Sequence, residues 1–394
     1  MHKVDLAIIG GGLVGASLAL ALAPIAKARR LRFALIEPFA PGNAYQPSYD
    51  ARSTALSYGS RLIYEQLGCW AEIAKRAEAI HQIHISDRGR LGAARMQAAH
   101  EQVPALGYVV ENAWLGHCLW QALESSGVER LCPAEAVMLK PVTEGYQISL
   151  KDSRVLECSL AVLADGGRSA LREQLGIGVT HTPYQQTALI ANVSPSMAHQ
   201  GVAYERFTPT GPLALLPLTE QRCALVWTLP EPEAKRVQAL EPRAFLNELT
   251  QAFGYRLGGF TQVGERHLYP LALVEAQEQV RPHLVVLGNA AHSLHPVAGQ
   301  GYNLSLRDAY ALAQVLEQSP EPLGQLPMLK AYIDRQAQDQ AITVGFSDRV
   351  TRLFSNTQPV LSAGRNLGLL GLDLLPPAKS WLARQAMGLA TRKW

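Results

Sequence analysis

The chain has 394 residues, of which 48% are hydrophobic and 18% are charged, and its formal net charge is +3. This length suits two domains, and the large apolar share is typical of a globular enzyme rather than a disordered chain. The nearly balanced charge argues against a nucleic-acid-binding protein, in which basic residues cluster in a patch.

The cysteines and the N-terminus bear on the cellular compartment. The cysteines are scattered without a Cys-x-x-Cys pair, so we expect no metal site and no disulfide framework. The N-terminus lacks the basic and apolar regions of a signal peptide, and no apolar run is long enough to span a bilayer. We therefore expect a cytoplasmic protein that at most lies on a membrane surface.

The first elements in chain order predict a parallel nucleotide-binding unit. Val4–Ile9 is almost continuously apolar, as a strand buried on both faces should be, and three glycines follow it. Leu13–Ala28 is rich in Ala and Leu and predicts a helix, and Leu31–Ile36 predicts a second strand. This order of strand, glycine turn, helix and strand is typical of a Rossmann-type unit in an α/β fold.

The next segments alternate in predicted structure. Ala51–Ala79 reads mainly as helix, Ile83–Ser86 as a short strand and Tyr108–Ser125 as a helix. Buried strands are predicted at Leu160–Ala164 and Leu284–Leu287, and a helix at 304–316.

Between residues 187 and 273 the pattern changes to short strands separated by Pro, Gly and polar turns, which predicts an inserted antiparallel sheet. We expect a discontinuous dinucleotide-binding domain formed by 1–80, 105–182 and 275–345. A substrate-binding sheet domain would comprise 81–104 and 183–274, and 346–394 would form a C-terminal helical region.

The segment Gly10-Gly11-Gly12-Leu13-Val14-Gly15 fits the pattern Gly-x-Gly-x-x-Gly. Gly10 permits a tight turn, Gly12 lets the backbone approach a pyrophosphate, and Gly15 lets the helix pack closely on the strand. Glu37, at the end of the second strand, is placed to accept hydrogen bonds from a ribose. The motif alone does not distinguish NAD from FAD, and a glycine turn that merely packs is the alternative.

Two later glycine turns follow predicted buried strands. Asp165-Gly166 ends one strand, and Gly288-Asn289-Ala290-Ala291-His292 ends another and continues to the turn His295–Asn303. That turn leads into a helix, whose N-terminal amides can stabilise the negative charge of a reduced flavin.

With these three motifs in this order, the chain resembles the class A flavoprotein aromatic hydroxylases, and within them the ubiquinone-biosynthesis hydroxylases. Finer resemblance lies in Ser86–Gly89, Ala203–Phe207 and 364–369. The resemblance implies a para-hydroxybenzoate hydroxylase-like fold, FAD as cofactor, and NAD(P)H and O₂ as co-substrates. It also implies hydroxylation of a polyprenylated phenol, 2-polyprenyl-6-methoxyphenol, to the 1,4-benzoquinol through a C4a-hydroperoxyflavin.

The resemblance also assigns residues. It places the ADP half of FAD at Gly10, Gly12, Gly15 and Glu37, and it associates Asp165 and Gly166 with both FAD and NAD(P)H. The isoalloxazine ring would lie along Gly299, Gln300, Gly301 and Asn303, with Arg52, His295 and Pro296 as candidates near it and Gly288 and Asn289 at the ribityl chain.

Several assignments have alternatives. The class usually has Asp where this chain has Asn289, so a carboxylate acceptor is missing. Arg52 also suits an ordinary surface ion pair, and His292 a structural role. Tyr204 and Glu205 alternate along a predicted strand, so one of them faces the pocket.

The C-terminal segment, Ala378–Trp394, mixes apolar and basic residues. It suits a helix that lies on an anionic membrane surface or docks a partner, for example another ubiquinone-biosynthesis protein. The alternative is a helix that caps the FAD domain. Three alternatives to the predicted activity stay open: a sister hydroxylase acting at another ring carbon, a non-hydroxylating FAD reductase or dehydrogenase, and a largely non-catalytic subunit.

Overall fold

The computed structural model describes residues 2–39, 52–90, 92–296, 299–354, 368 and 371–390. The α-helices in this part of the chain are α1 (Leu13–Arg29), α2 (Tyr58–Gln66), α3 (Trp70–Ile73), α4 (Asn112–Glu124), α5 (Ala170–Gln174), α6 (Glu231–Gln238), α7 (Pro242–Phe253), α8 (Gln300–Gln318), α9 (Leu326–Phe354) and α10 (Pro376–Ala386). None of these helices is both long and apolar enough to cross a membrane.

The strands of the first half are β1 (His2–Ile9), β2 (Phe33–Ile36), β3 (Ser53–Ser57), β4 (Ala77–Ile80), β5 (Gln82–Asp87), β6 (Ala93–Gln97), β7 (Gly107–Glu111), β8 (Glu129–Leu131), β9 (Ala136–Val142) and β10 (Gly145–Leu150). Those that follow are β11 (Val155–Leu163), β12 (Val179–Pro195), β13 (Val202–Thr208), β14 (Gly211–Pro217), β15 (Cys223–Pro230), β16 (Phe260–Val263), β17 (His267–Ala276), β18 (Val280–Arg281), β19 (Leu284–Val286) and β20 (His292–Ser293).

A parallel sheet forms the base of the molecule. Its strands run in the order β18-β19-β11-β1-β2-β8, and β1 pairs in parallel with both β2 and β11. Alternate residues of β1 enter opposite cores: Leu6 and Ile8 pack against α1, α4, α8 and α9, whereas Ala7 and Ile9 pack against the hairpin β9–β10. Burial on both faces explains why β1 is almost continuously apolar.

A second sheet, mostly antiparallel, has the order β20-β17-β12-β15-β14-β13-β5-β6. One of its faces packs against α6 and α7 through side chains such as Leu215, Trp227 and Phe245. Part of the other face packs against α10, where Ala383 and Met387 are buried. We call this sheet the substrate sheet, and the face away from α6 and α7 its cavity face.

The α/β fold expected from the sequence is confirmed, with differences in local structure. The prediction of helix over most of Ala51–Ala79 is wrong: β3, α2, α3, a 3₁₀ turn and β4 follow one another there. Likewise, the predicted helix at Tyr108–Ser125 begins only at Asn112, because the preceding residues form β7 between β3 and β4. These strands are stabilised by pairing with distant segments, which periodicity along one segment does not reveal.

The C-terminal region is described only in part, and two of the expected domain limits fall inside strands. The segment 364–367 lies outside the described residues, as do 369–370 and 391–394. Strands β12 and β17 run across the limits expected at 183 and 274.

The glycine turn after β1 brings α1 onto the sheet at backbone contact. A Cβ added to Gly15 would lie 1.8 Å from the carbonyl oxygen of Gly10, so no side chain fits there. We expect Gly15→Ala to lower the free energy of unfolding by about 3 kcal/mol, because α1 must move off β1. Urea denaturation followed by circular dichroism measures this change.

The matched control is Gly345→Ala in α9, where an added Cβ meets nothing within 4 Å. This variant should be unchanged or more stable by up to about 1 kcal/mol, since Ala favours a helix more than Gly does. If Gly15→Ala were as stable as Gly345→Ala, the close packing of α1 on β1 would be refuted.

Candidate functional site

A cavity of about 970 Å³ opens where the parallel strands β1, β11 and β19 end at their carboxyl termini. Open α/β sheets bind their ligands at this edge, and the volume is at the upper end of the range of about 300–1,000 Å³ that is usual for ligand sites. The cavity extends from the glycine turn after β1 to the cavity face of the substrate sheet.

The glycine turn forms one end of the cavity. Gly10 has φ of +102°, and a Cβ there would lie 2.4 Å from the carbonyl oxygen of Ala164. Gly12 caps α1, whose first turn contains no acidic side chain, so none of the helix's own side chains neutralises its positive end. Amides at such a helix start can hold the phosphates of a dinucleotide.

Glu37 lies beside this turn and is almost fully buried. Its carboxylate accepts the amide of Gly11 at 2.6 Å and the amide of Phe39 at 3.0 Å, and the residue also lines the cavity. Carboxylate oxygens each accept more than one hydrogen bond, so Glu37 can also receive a hydroxyl. The indole of Trp120 donates to the Gly11 carbonyl at 3.0 Å; no pattern in the sequence predicts this contact.

The second turn contributes Asp165 and Gly166, and Gly166 adopts φ of +94°. The hydroxyl of Ser169 donates to Asp165 at 2.8 Å. Burial raises the pKa of Asp165 to about 6, although the hydrogen bond from Ser169 opposes this shift. Asp165 is thus a carboxyl that can change protonation near neutral pH.

The third turn packs directly on the first. A Cβ added to Gly288 would lie 3.3 Å from the side chain of Val14, in the first turn of α1. Arg172 donates to the carbonyl of Ala290 at 2.8 Å and so fixes the turn from the other side. Asn289 lies between these contacts, exposed and lining the cavity.

The loop before α8 closes the middle of the cavity. Gly299 adopts φ of +59° and caps α8, and Gly299, Gln300, Gly301 and Asn303 all line the cavity. The Asn303 side chain donates to the carbonyls of Ala55 and Gly299 and accepts from Ser57 and Ser60. Asn303 therefore holds β3 against the start of α8. Residues 297–298 lie outside the described part of the chain.

The three candidates expected near the flavin also line this cavity. The guanidinium of Arg52 lies 5.1 Å from the ring centroid of Tyr269 on β17, and Pro296 follows His295 at the loop. Burial lowers the pKa of His295 to about 4, so its imidazole is neutral at neutral pH. The edge of its ring packs on Tyr184.

His292, in contrast, belongs to a buried network behind the loop. Its Nε2 lies 2.6 Å from Asp308, which also accepts from Gln336 and Gln340. Burial raises the pKa of Asp308, but these hydrogen bonds outweigh it and hold the pKa below its usual value. The network supports the structural role expected for His292.

The far wall of the cavity is the cavity face of the substrate sheet. From β14 and β15, Ala214, Leu216, Ala224 and Val226 face the cavity, whereas Leu213 packs towards α6 and α7. Strands β5 and β6, within the segment 81–104 expected in the substrate-binding domain, also line the cavity through Ile83, Ile85 and Met96. The sequence did not indicate that the region of α10 contributes as well, through Leu382, Ala383 and Met387.

This arrangement fits FAD. A helix start without acidic residues, a buried carboxylate beside it and a second helix start at α8 all line one cavity, which continues to an apolar wall. Residues 3–341 match the family described as FAD binding domain. The chain belongs to this family of flavoprotein hydroxylases. It is an FAD-dependent aromatic monooxygenase, and FAD is its cofactor.

Two curated relatives of this flavoprotein align over nearly the whole chain. Ubiquinone hydroxylase UbiL of Rhodospirillum rubrum is 34% identical over 389 residues, which cover 98% of this chain and 89% of the relative. The 3-demethoxyubiquinol 3-hydroxylase of Escherichia coli strain K12 is 33% identical over 400 residues, which cover 98% and 99%.

Solved structures agree in fold. The p-nitrophenol 4-monooxygenase PnpA of Pseudomonas putida has a TM-score of 0.83 at 16% identity, with all of both chains covered. A Klebsiella pneumoniae HpxO variant complexed with FAD has a TM-score of 0.76 at 16% identity, with 98% of both chains covered.

Asn289 offers a test of how this flavoprotein holds its cofactor. A carboxylate accepts stronger hydrogen bonds from hydroxyl groups than an amide oxygen does. We therefore expect Asn289→Asp to bind FAD about fivefold more tightly. Titration of the apoprotein with FAD, followed by flavin fluorescence, measures the dissociation constant; unchanged or weaker binding would show that residue 289 does not accept a hydrogen bond from a hydroxyl of FAD.

Proposed function

We propose that this monooxygenase hydroxylates the aromatic ring of a polyprenylated phenol in ubiquinone biosynthesis, converting 2-polyprenyl-6-methoxyphenol to the 1,4-benzoquinol. The observation that carries the proposal is the continuity of the cavity, which joins the glycine turn to a wide apolar wall. The names of the two relatives, ubiquinone hydroxylase and 3-demethoxyubiquinol 3-hydroxylase, support the pathway. The E. coli relative's name also supports a second candidate: 3-demethoxyubiquinol, hydroxylated at another ring carbon.

The first part of the proposal concerns the ADP half of FAD. The amides at the start of α1, at Gly12 and beyond, would bind the pyrophosphate, and Gly10 and Gly15 would shape the turn. Glu37 would accept the ribose hydroxyls.

The second part concerns the flavin half. Asp165, Gly166, Gly288 and Asn289 would bind along the ribityl chain, and the amides of Gly299, Gln300 and Gly301 would face the ring, with Asn303 fixing this loop through its hydrogen bonds. Arg52 would place positive charge near the ring, and His295-Pro296 would contact it through backbone. When bound, FAD would supply the transfer of electrons from NAD(P)H to O₂, and O₂ would be the source of the oxygen atom added to the ring.

The protein's own contribution is orientation and the exclusion of water. The apolar cavity face would hold the ring and its prenyl chain, while α10 covers one side of the cavity through Leu382 and Ala383. The side-chain amide of Gln300 donates to the carbonyl of Ala386 at 3.2 Å and so joins α10 to the loop before α8. We also propose the division expected from the sequence: a discontinuous FAD domain, an inserted substrate sheet and a C-terminal helical region.

An isotope experiment tests the proposed reaction. The FAD-loaded protein is incubated with NADH or NADPH, ¹⁸O₂ and either 2-polyprenyl-6-methoxyphenol or 3-demethoxyubiquinol. We expect one ¹⁸O atom in the ring of the product from the first substrate, identified by mass spectrometry. Labelling of the second substrate alone would favour the sister reaction, and peroxide without labelled product from either would refute the proposal.

The Gly12→Val variant provides the flavin-free control. Its side chain would occupy the space in which we place the pyrophosphate, so the purified variant should be colourless and form no labelled product. Retention of FAD by this variant would contradict the proposed position of the cofactor.

A substrate with a prenyl chain would be taken from a membrane, so contact between the protein and the bilayer would help it to bind. The outer surface of α10 and the residues just before it suit such contact. Leu374 and Leu375 are 78% and 58% exposed just before α10, and Trp381 is 60% exposed on it. We propose that these three side chains insert into the surface of an anionic bilayer.

Sedimentation with vesicles of phosphatidylglycerol and phosphatidylethanolamine tests this contact. In the double variant Leu374→Ser, Trp381→Ser, the partition coefficient of the protein between vesicles and water should fall by about tenfold or more. The reason is that two apolar side chains no longer enter the bilayer. Tyr255→Ser, which removes a side chain 77% exposed on a turn of the substrate-sheet region, is the control. Equal binding by both variants would exclude α10 as the contact.

A further inference from the structure

Glu205 differs from its neighbours on the cavity face of the substrate sheet. Its partners across the sheet are Ala214 and Ile85, and the residue two positions before it is Ala203. The other side chains around it on this face are also uncharged: Ile83, Leu216 and Val226. Glu205 is therefore a lone carboxyl group on an apolar wall.

The orientation of Glu205 follows from its strand. Tyr204, the preceding residue, packs its ring on Phe253 of α7, on the opposite face of the sheet. Since successive side chains of a strand point to opposite faces, Glu205 points into the cavity, and it is one of the residues that line the cavity. This resolves the choice between Tyr204 and Glu205 that the sequence left open.

No described residue neutralises Glu205. The carboxyl forms no hydrogen bond or ion pair with the described part of the chain, and burial alone raises its pKa to about 7. Arg206 follows Glu205 on β13, and His84 precedes Ile85 on β5. Because side chains alternate along each strand, Arg206 and His84 point to the face opposite Glu205. A carboxyl without a hydrogen-bond partner is costly to bury in an apolar cavity, which suggests that a bound ligand provides that partner.

The other charged or titratable groups of the cavity lie outside this wall. Arg52, Asp165 and Arg168 come from loops of the FAD-binding part, as do Glu37 and Glu135. The His295 imidazole, whose pKa burial lowers, is neutral at neutral pH, and burial raises the pKa of the Tyr302 hydroxyl to about 12. From the elements that pack over the wall, Phe346 of α9 and Leu382, Ala383 and Met387 of α10 add only uncharged side chains.

We propose that Glu205 accepts the proton of the substrate's ring hydroxyl and so activates the ring for hydroxylation. The proposal rests on the proposed function in that the substrate is a phenol, but it does not depend on which ring carbon is attacked. The hydroxyl O–H bond breaks, the proton joins the Glu205 carboxylate, and the bonding electron pair remains on the phenolate oxygen.

This transfer raises the electron density at the carbons ortho and para to the hydroxyl, where an electrophilic oxygen is accepted. The ring forms its new C–O bond with one oxygen atom of O₂; the O–O bond breaks, and the two electrons from NAD(P)H reduce the other oxygen atom to water. The ring's C–H proton passes to solvent, and the Glu205 carboxyl returns its proton to the original oxygen. Glu205 is then ionised again, and no oxidant or reductant is needed for its part of the cycle. A group with a pKa near the working pH is suited to such a role.

The same residue implies a preference for uncharged substrates. An arene that carries its own carboxylate would bring a second negative charge close to Glu205 in an apolar cavity, where the repulsion is poorly screened. An alkylated methoxyphenol has no such charge. The substrate class is therefore a neutral phenol rather than a hydroxybenzoate.

Kinetics of Glu205→Gln tests the proton transfer, because Gln has nearly the same shape but cannot accept the proton. With the FAD-loaded protein we expect kcat to fall by about a hundredfold. In the wild type, kcat should rise with pH through about 7 and then level off, because Glu205 must be ionised, and this rise should be absent in the variant. Glu265→Gln, a change at an exposed carboxyl on the same domain, should leave both kcat and the pH profile unchanged.

A binding measurement checks the same proposal without turnover. In the absence of NAD(P)H, the dissociation constant of 2-methoxy-6-alkylphenol is measured from pH 6 to 8.5, where this phenol stays neutral. The wild type should bind about fivefold more tightly at the high end, since an ionised acceptor makes the stronger hydrogen bond. Glu205→Gln should show no pH dependence, and it should bind 4-hydroxybenzoate more tightly than the wild type does.

The outcomes separate this proposal from the proposed function. If the wild type incorporates ¹⁸O into a polyprenyl phenol but Glu205→Gln keeps kcat within about threefold and the same pH profile, the role of Glu205 is refuted while the reaction stands. If the wild type labels neither phenol yet binds the alkylphenol with the expected pH dependence, the proposed reaction fails and Glu205 remains a hydroxyl acceptor. Equal FAD content in the variants excludes misfolding as the cause.

Discussion

The backbone contact between α1 and β1 is the constraint on which the site depends. Because neither Gly10 nor Gly15 carries a side chain, the start of α1 sits directly at the end of β1. Val14, in the first turn of α1, then forms the surface against which Gly288 packs, and this contact brings the third glycine turn to the first. Positions far apart in sequence thus line one cavity through a chain of close contacts at small residues.

The two faces of the substrate sheet differ in role: one packs in the protein core, and the other lines the cavity. The face towards α6 and α7 carries large side chains such as Leu215 and Trp227, which bury apolar area against side chains such as Phe245 of α7 and hold the sheet in place. The cavity face has smaller side chains at the same strands, for example Ala214 and Ala224, and this difference leaves the space for a ligand. A rigid sheet with one thinly covered face is a suitable wall for a flat aromatic ring.

The sequence predicted the parts of the fold that are encoded locally. The first glycine turn, Glu37 and the later turns at Asp165 and Gly288 were identified because their spacing reflects backbone requirements at single positions. The strands β3 and β7 were missed because their stability comes from pairing with each other across more than one intervening element. The role of Asn303 could not be predicted either, since its hydrogen bonds join it to Ser57 and Ser60, far away along the chain.

The polar groups around the cavity fall into two kinds, and the distinction explains what the site can do. Asn303, His292 and Asp308 are buried and hydrogen-bonded within the protein, so they fix the loops. Asn289 and Glu205 lie on the cavity surface, and the contacts of their side chains with the described residues leave their oxygens accessible from it. Because unpaired polar groups are costly in an apolar cavity, these groups are the positions at which we propose that cofactor and substrate make directional contacts.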